Sequence, residues 1–348
     1  MTARELLLAE AAKTILIKDG PYGTAIQNEK LDEADYRGDT GLSHDQKGNN
    51  DLVNLTQPQV IRRICDAYVA AGARVLATNT FNANRISQAD YGAEHLVDEI
   101  NRSAARIIRA SCDEATAKDG LPRFVVGAVG PTNKTLSLSP DVNDPGFREV
   151  DFDLVKDVYL EQSRALIGGG ADYILIETVF DTLNCKAAIM AVKELTRELG
   201  RDVPLMISMT LTDLSGRNLS GHTVEAFWLS VRHARPVTIG LNCSFGATQL
   251  RPHVRLLSGI ADCLLMAYPN AGLPNELGEY DELPETTAAL VHEWAEAGQV
   301  NVLGGCCGST PAHIAAIAKA VAGLPARAIP AAQPMTRLAG LEPFVMAA

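Results

Sequence analysis

Three cysteines carry the chemistry most plainly written in this sequence. Cys306 and Cys307 stand side by side in Gly304-Gly305-Cys306-Cys307-Gly308, and Cys243 stands in LNCSFG. Adjacent cysteines rarely bond to each other, and flanking glycines let a backbone turn tightly around something bound. A third thiol brought to that pair makes a three-thiolate set with its fourth position open, which describes a catalytic zinc site rather than a structural one. Zn2+ deprotonates a bound thiol outright, whereas a free thiol titrating near ~8.5 stays mostly protonated at neutral pH. A site so rich in thiolate suits attack by sulfur on a methyl group better than hydrolysis. Zinc hydrolases use His-rich sets, and the sequence contains no H-E-x-x-H. The alternative reading is that these cysteines are small buried residues in a Gly-rich turn. Cys65, Cys112, Cys185 and Cys263 lack such company and read as packing or surface residues.

Positioning distant cysteines together is work for the fold. Short apolar runs recur over 14–18, 75–80, 124–129, 173–177, 205–209, 238–243, 264–268 and 301–304. Runs of this kind suit strands buried on both faces, as in a parallel sheet. Helical patterns follow them, opened by Thr56-Gln57-Pro58 and Thr310-Pro311 and running over 93–118, 152–168, 182–199, 223–234, 247–259 and 286–297. Eight strands, each followed by a helix, predict an α/β fold of the (β/α)8 TIM-barrel type, a count that an open doubly wound sheet rarely needs. Residues 1–325 form that single domain, and the Ala/Pro-rich residues 326–348 read as a semi-rigid tail or linker. Cys243 ends the sixth strand and the Cys-Cys pair ends the eighth, so both converge on the C-terminal face where barrels build active sites. Long polar loops over 27–55 and 131–150 belong to the same face.

The net charge of −11 argues against broad contact with nucleic acid. No run approaches the ~18 apolar residues of a membrane span, and the N-terminus reads as an opening helix, not a signal peptide. Seven Cys, an odd and scattered set, disfavour a disulfide framework and point to a reducing, cytoplasmic setting.

Further stretches carry a resemblance. They are DGPYGTAIQ from Asp19, NDLVNLTQP from Asn50, TNTFNANRISQADY from Thr78, GPTNKTLSLSPDVNDPGFR from Gly130 and GGADYILIETVFDTLN from Gly169. LSGHTVEAF from Leu219, GLNCSFG from Gly240, YPNAGLPNELGEYD from Tyr268 and GGCCGSTPAHIAA from Gly304 extend it over nearly the whole chain. In these the chain resembles the homocysteine S-methyltransferase family, and within it the homocysteine-binding modules of cobalamin-dependent methionine synthases. The resemblance implies a (β/α)8 barrel, zinc held by Cys243, Cys306 and Cys307, and homocysteine as methyl acceptor in methionine biosynthesis. It also implies that Asp19 and Glu177 bind the substrate ammonium. Both acids end strands, where burying a carboxylate without a partner is costly; the other reading of either is a solvated cap.

Backbone N–H groups around Gly20, Gly23 and Thr24 are candidates for the substrate carboxylate, with Asn79 and Thr80 as further contacts. Asn270, ending the seventh strand, is either a fourth oxygen ligand to zinc or a turn cap. Pro21-Tyr22 and Ser244-Phe245 depart from the residues usual in relatives and leave the candidate ligands in place. The D-x-H-x-x-G motif of a cobalamin module does not occur, so methylcobalamin is expected on a partner, alongside a folate-binding module or subunit. A natural split subunit and a fragment of a longer protein both fit. The alternatives are a stand-alone enzyme using a betaine or sulfonium donor, and a non-catalytic homocysteine-binding module.

Overall fold

The computed structural model describes residues 1–332 and 335–346. Among them, eight parallel strands run β1 (Leu16–Ile17), β2 (Val75–Ala77), β3 (Phe124–Val129), β4 (Tyr173–Val179), β5 (Leu205–Met209), β6 (Thr238–Gly246), β7 (Leu264–Asn270) and β8 (Val302–Leu303). Their spatial order is β1-β8-β7-β6-β5-β4-β3-β2. The ring closes between β1 and β2 through a parallel bridge from Lys18 to Val75. There Asp19 N–H donates to the Val75 carbonyl at 3.0 Å and Arg74 N–H to the Ile17 carbonyl at 2.8 Å. The architecture is the (β/α)8 barrel that the sequence predicts.

Burial on both faces explains the apolar runs. Phe124, Val126, Tyr173, Leu175, Met206, Leu264, Met266 and Val302 fill the barrel interior, joined by Leu7 and Ala11 from the opening helix Ala3–Ala11. The alternate residues, Val125, Val129, Ile174, Ile176 and Ile207, pack outward against the surrounding helices. Several elements keep their expected bounds, including β3, β5 and helix Thr182–Leu199, which Asp181 caps by accepting from Leu183 N and Asn184 N.

Residues 27–55 are built rather than loose. Asp32 caps the short helix Glu33–Arg37, and the Glu33 carboxylate accepts from Gln46 N and Lys47 N. Leu52, Val53 and Asn54 are fully buried. The tail is anchored as well. Arg327 is 4% exposed and donates to the carbonyls of Ser258 at 2.9 Å and Cys263 at 2.8 Å. Strands Arg337–Ala339 and Pro343–Val345 form an antiparallel hairpin, tethered where Thr223 N–H meets the Leu341 carbonyl at 3.1 Å. Composition alone reads this stretch as a linker because its anchoring is polar and shows no apolar period. Residues 333–334 and 347–348 of the expected tail lie outside the described residues.

Candidate metal and substrate site

The sixth strand does not end regularly. Its register against β7 shifts between Asn242 and Gly246, and Cys243 and Ser244 both adopt φ 61°. A bulge of this kind bends a strand end and re-aims its side chains. Cys306 and Cys307 follow β8 in a turn stapled to the end of β7, with Cys306 N–H donating to Pro269 at 2.8 Å and Ala271 N–H to Cys307 at 2.9 Å. Gly308 closes that turn at φ 78°, and a Cβ there would fall 2.3 Å from a Tyr280 side-chain carbon. Only glycine meets both demands.

The three Sγ atoms thereby lie within 4.8 Å of one another, with Cys243 and Cys307 3.8 Å apart. Tetrahedral zinc with Zn–S bonds of ~2.3 Å sets neighbouring thiolates about 3.8 Å apart. Hydrogen bonds from Cys306 and Cys307 hold the Cys243 thiol far below the usual range. The same contacts with Cys243 push Cys306 well up and Cys307 to about 11. Three thiols so packed compete for their protons, and a cation bound among them would favour the thiolate form. Asn270, 2% exposed, sits against Cys243, and its buried Oδ1 has no protein partner. A soft three-sulfur set beside an unpartnered oxygen fits zinc.

The opposite wall carries ionisable groups. Lys18, 4% exposed, donates from Nζ to Asp19 Oδ1 at 2.8 Å and lies 4.6 Å from the centre of the Tyr268 ring. Asp19 is fully buried, and its Oδ2 accepts from Ala77 N at 2.7 Å. Burial pulls on the Lys18 ammonium, but Asp19 and then Glu177 outweigh it and hold the lysine charged. Glu177 Oε2 accepts from the Tyr268 hydroxyl at 3.0 Å. Burial pushes the Glu177 carboxyl up, against Lys18 and that hydroxyl. Burial pushes the Asp19 carboxyl up as well, against Lys18, so two carboxyl groups face one ammonium, and a second cation beside them would favour their ionised forms.

Between the walls lies a cavity of about 250 Å3. Gly20, Gly23, Thr24, Asn79, Thr80, Glu177, Cys243, Cys306 and Cys307 all line it, as does Lys18. Asp19 stands outside the lining with both oxygens engaged, and Asn270 stands behind Cys243. The Thr80 hydroxyl is directed to the Ala128 carbonyl at 2.7 Å, and Asn79 donates to Asn50 at 2.7 Å. Thr24 Oγ1 accepts from Gly308 N at 3.3 Å and ties the first loop to the cysteine turn.

Sequence reasoning missed Lys18, Tyr268 and Asp51. Lys18 had a readable signal, since a lysine next to an acid at the end of an apolar strand must be buried and must be paired. Asp51, in the first long loop, also lines the cavity. Burial pushes its carboxyl up to about 7 against a backbone hydrogen bond from Asn82; nothing in its polar neighbourhood marks it.

Comparison with known proteins decides the family. A family model described as homocysteine S-methyltransferase matches residues 16–321. The chain belongs to the homocysteine S-methyltransferase family. Solved structures of the homocysteine methyltransferase MmuM from Escherichia coli share this family member's fold. The metallated form superposes with TM-score 0.70 at 22% identity, covering 91% of this chain and 99% of that one. The oxidized form gives TM-score 0.70 at 21% identity over 92% and 99%. No described helix is long and apolar enough to cross a membrane.

Proposed function

We propose that this family member activates homocysteine for methyl transfer, forming methionine, with zinc held by Cys243, Cys306 and Cys307 and Asn270 as an oxygen ligand when no substrate is bound. The observation that carries the reading is one cavity with three converging thiols on one wall and the Glu177 carboxyl on the other. An amino acid bearing a thiol complements both. Zinc bound there would keep the substrate sulfur as a thiolate, electron-rich because three anionic ligands outweigh the metal's charge.

The chain's own residues then bind and orient. Glu177 accepts the substrate ammonium, held in place by the Tyr268 hydroxyl. Asp19 supports the same wall through Lys18, which stays cationic and carries the balance of charge. First-turn N–H groups of helix Tyr22–Asn28, together with Gly20, Gly23 and Thr24, face the substrate carboxylate. Asn79 and Thr80 close the cavity wall. The sulfur attacks a methyl group presented at the open C-terminal face, in line with its leaving group.

The donor we assign is methylcobalamin on a partner chain, which docks over residues 27–55 and 131–150 and works with a folate-binding module. Support comes from the sequence resemblance to methionine synthase modules. MmuM is a homocysteine methyltransferase with a metallated form, which fits the acceptor and the metal and leaves the donor to experiment. Zinc analysis of reduced protein is expected to give one ion per chain, and homocysteine is expected to demethylate free methylcobalamin in its presence. Transfer from a sulfonium or betaine donor without cobalamin would replace the donor assignment. Less than a tenth of an ion per chain in active protein would remove the metal.

A further inference from the structure

Two strand ends are bulged at the cavity, on either side of β5. The register of β4 shifts between Ile176 and Val179, and that of β6 between Asn242 and Gly246. Glu177 lies in the first bulge and Cys243 in the second, so each re-aimed segment carries one of the groups the substrate must reach. The β4 bulge is strained. Thr178 adopts φ 57°, a left-handed conformation that a β-branched residue holds only where its surroundings enforce it.

The enforcing group is the side chain of Asn242, which is 1% exposed. Its Oδ1 accepts from Thr178 N at 3.2 Å and from the Ser208 hydroxyl at 2.6 Å. Its Nδ2 donates to Thr178 Oγ1 at 2.9 Å and reaches Cys306 Sγ at 3.9 Å. One planar amide, on the residue before Cys243, therefore joins the residue after Glu177, Ser208 of β5 and a second thiol. Its donors and acceptors are all used inside the protein, and it does not line the cavity. A buried amide with four contacts to three residues on separate elements cannot shift toward one of them without breaking another.

We propose that Asn242 is a positioning residue for substrate length. It fixes the separation between the Glu177 carboxylate and the thiol cluster, so that an amino acid with two methylenes between its α-carbon and sulfur spans the gap. An amino acid with one methylene falls short. This rests on the reading above of Glu177 as the ammonium anchor and the cysteines as metal ligands.

The test uses the full chain with zinc replaced by cobalt(II), whose thiolate absorption reports sulfur coordination without any methyl donor. Homocysteine and cysteine are titrated into wild type, Asn242→Ala and Ser208→Ala, and thermal midpoints are recorded alongside. Wild type is expected to favour homocysteine at least tenfold, in line with the about 10–200-fold that one methylene is worth in a fitted site. Asn242→Ala is expected to cut that preference at least fivefold, chiefly by weakening homocysteine, and Ser208→Ala to cut it less. Asn242→Asp keeps the Oδ1 acceptor and takes the place of the alanine variant if that one does not fold; its preference falls as well. Equal loss of both affinities with the preference intact would mean a merely structural role and overturn the proposal. Wild type that coordinates homocysteine without discriminating against cysteine also overturns it and leaves the functional reading standing. Wild type that coordinates neither thiol sinks both.

Discussion

On one side of the cavity three thiols crowd within reach of one another; on the other, the Lys18 ammonium faces the carboxyl groups of Asp19 and Glu177. Both sides are assembled from strand ends, yet they reach order differently. The charged side is organised by the chain itself, through the Lys18–Asp19 pair at 2.8 Å and the Tyr268–Glu177 hydrogen bond at 3.0 Å. The thiol side has its geometry from a bulge and a glycine turn, but its charge state waits on a cation. The difference teaches that metal affinity and amine recognition in this barrel are separable properties, and that each should yield to mutation without the other.

Cys306→Ala attacks the thiol side and carries the largest expected effect. It removes one of three sulfurs, and zinc retention against a chelator should weaken by at least ~10^3-fold, about 4 kcal/mol. Homocysteine-dependent transfer should fall with it. Binding of norleucine, which has an amine and no thiol, should stay within about threefold when followed by calorimetry. Zinc retained at one per chain in this variant would take Cys306 out of the metal site.

Lys18→Met attacks the other side. It leaves Asp19 buried with only the Ala77 N–H, and removing one partner of a buried pair costs about 3–5 kcal/mol. Urea unfolding should show the loss, and pH should modulate it. Burial already raises Asp19 in wild type against Lys18, and without that ammonium it rises further, so the variant's stability is present at low pH and lost as pH rises toward neutrality. The deficit relative to wild type is therefore larger at pH 8 than at pH 5. A deficit under about 1 kcal/mol at both would show that the pair does not hold this wall.

The legibility of the two sides differs for the same reason. Glycine-flanked Cys306-Cys307 and strand-end Cys243 could be read because cysteines are few and the barrel count places strand ends on one face. The β-strands could be read because burial on both faces writes continuous apolar runs such as FVVGAV. Tyr268 and Asn242 act through partners that only the closed ring brings near, and no local pattern announces a cross-barrel hydrogen bond. The bulges at Glu177–Thr178 and Cys243–Phe245 are likewise silent, since counting along a strand passes over a register shift. Residues 27–55 read as a polar loop because side chains such as Glu33 fasten them to backbone N–H groups, without apolar periodicity. The anchoring of the tail by Arg327 was hidden in the same way.

Glu177→Gln is the smallest of these changes and the sharpest probe of the comparison. The amide keeps an oxygen for the Tyr268 hydroxyl, so the wall keeps its shape while its uncompensated charge disappears. A charge-assisted hydrogen bond to the substrate ammonium is worth about 1.5–3 kcal/mol. The KM for homocysteine should therefore rise roughly 10–100-fold. Zinc content should be unchanged, because no sulfur has moved, and kcat at saturating homocysteine should change little. Lys18 now faces Asp19 alone, and the buried wall becomes neutral without a substrate. Burial of the wild-type carboxylate without its cation disfavours the empty site, so the variant should unfold no more easily than wild type in the absence of homocysteine. A variant that keeps the wild-type KM would move the ammonium elsewhere on this wall, and one that loses zinc would show that the two sides are not separable.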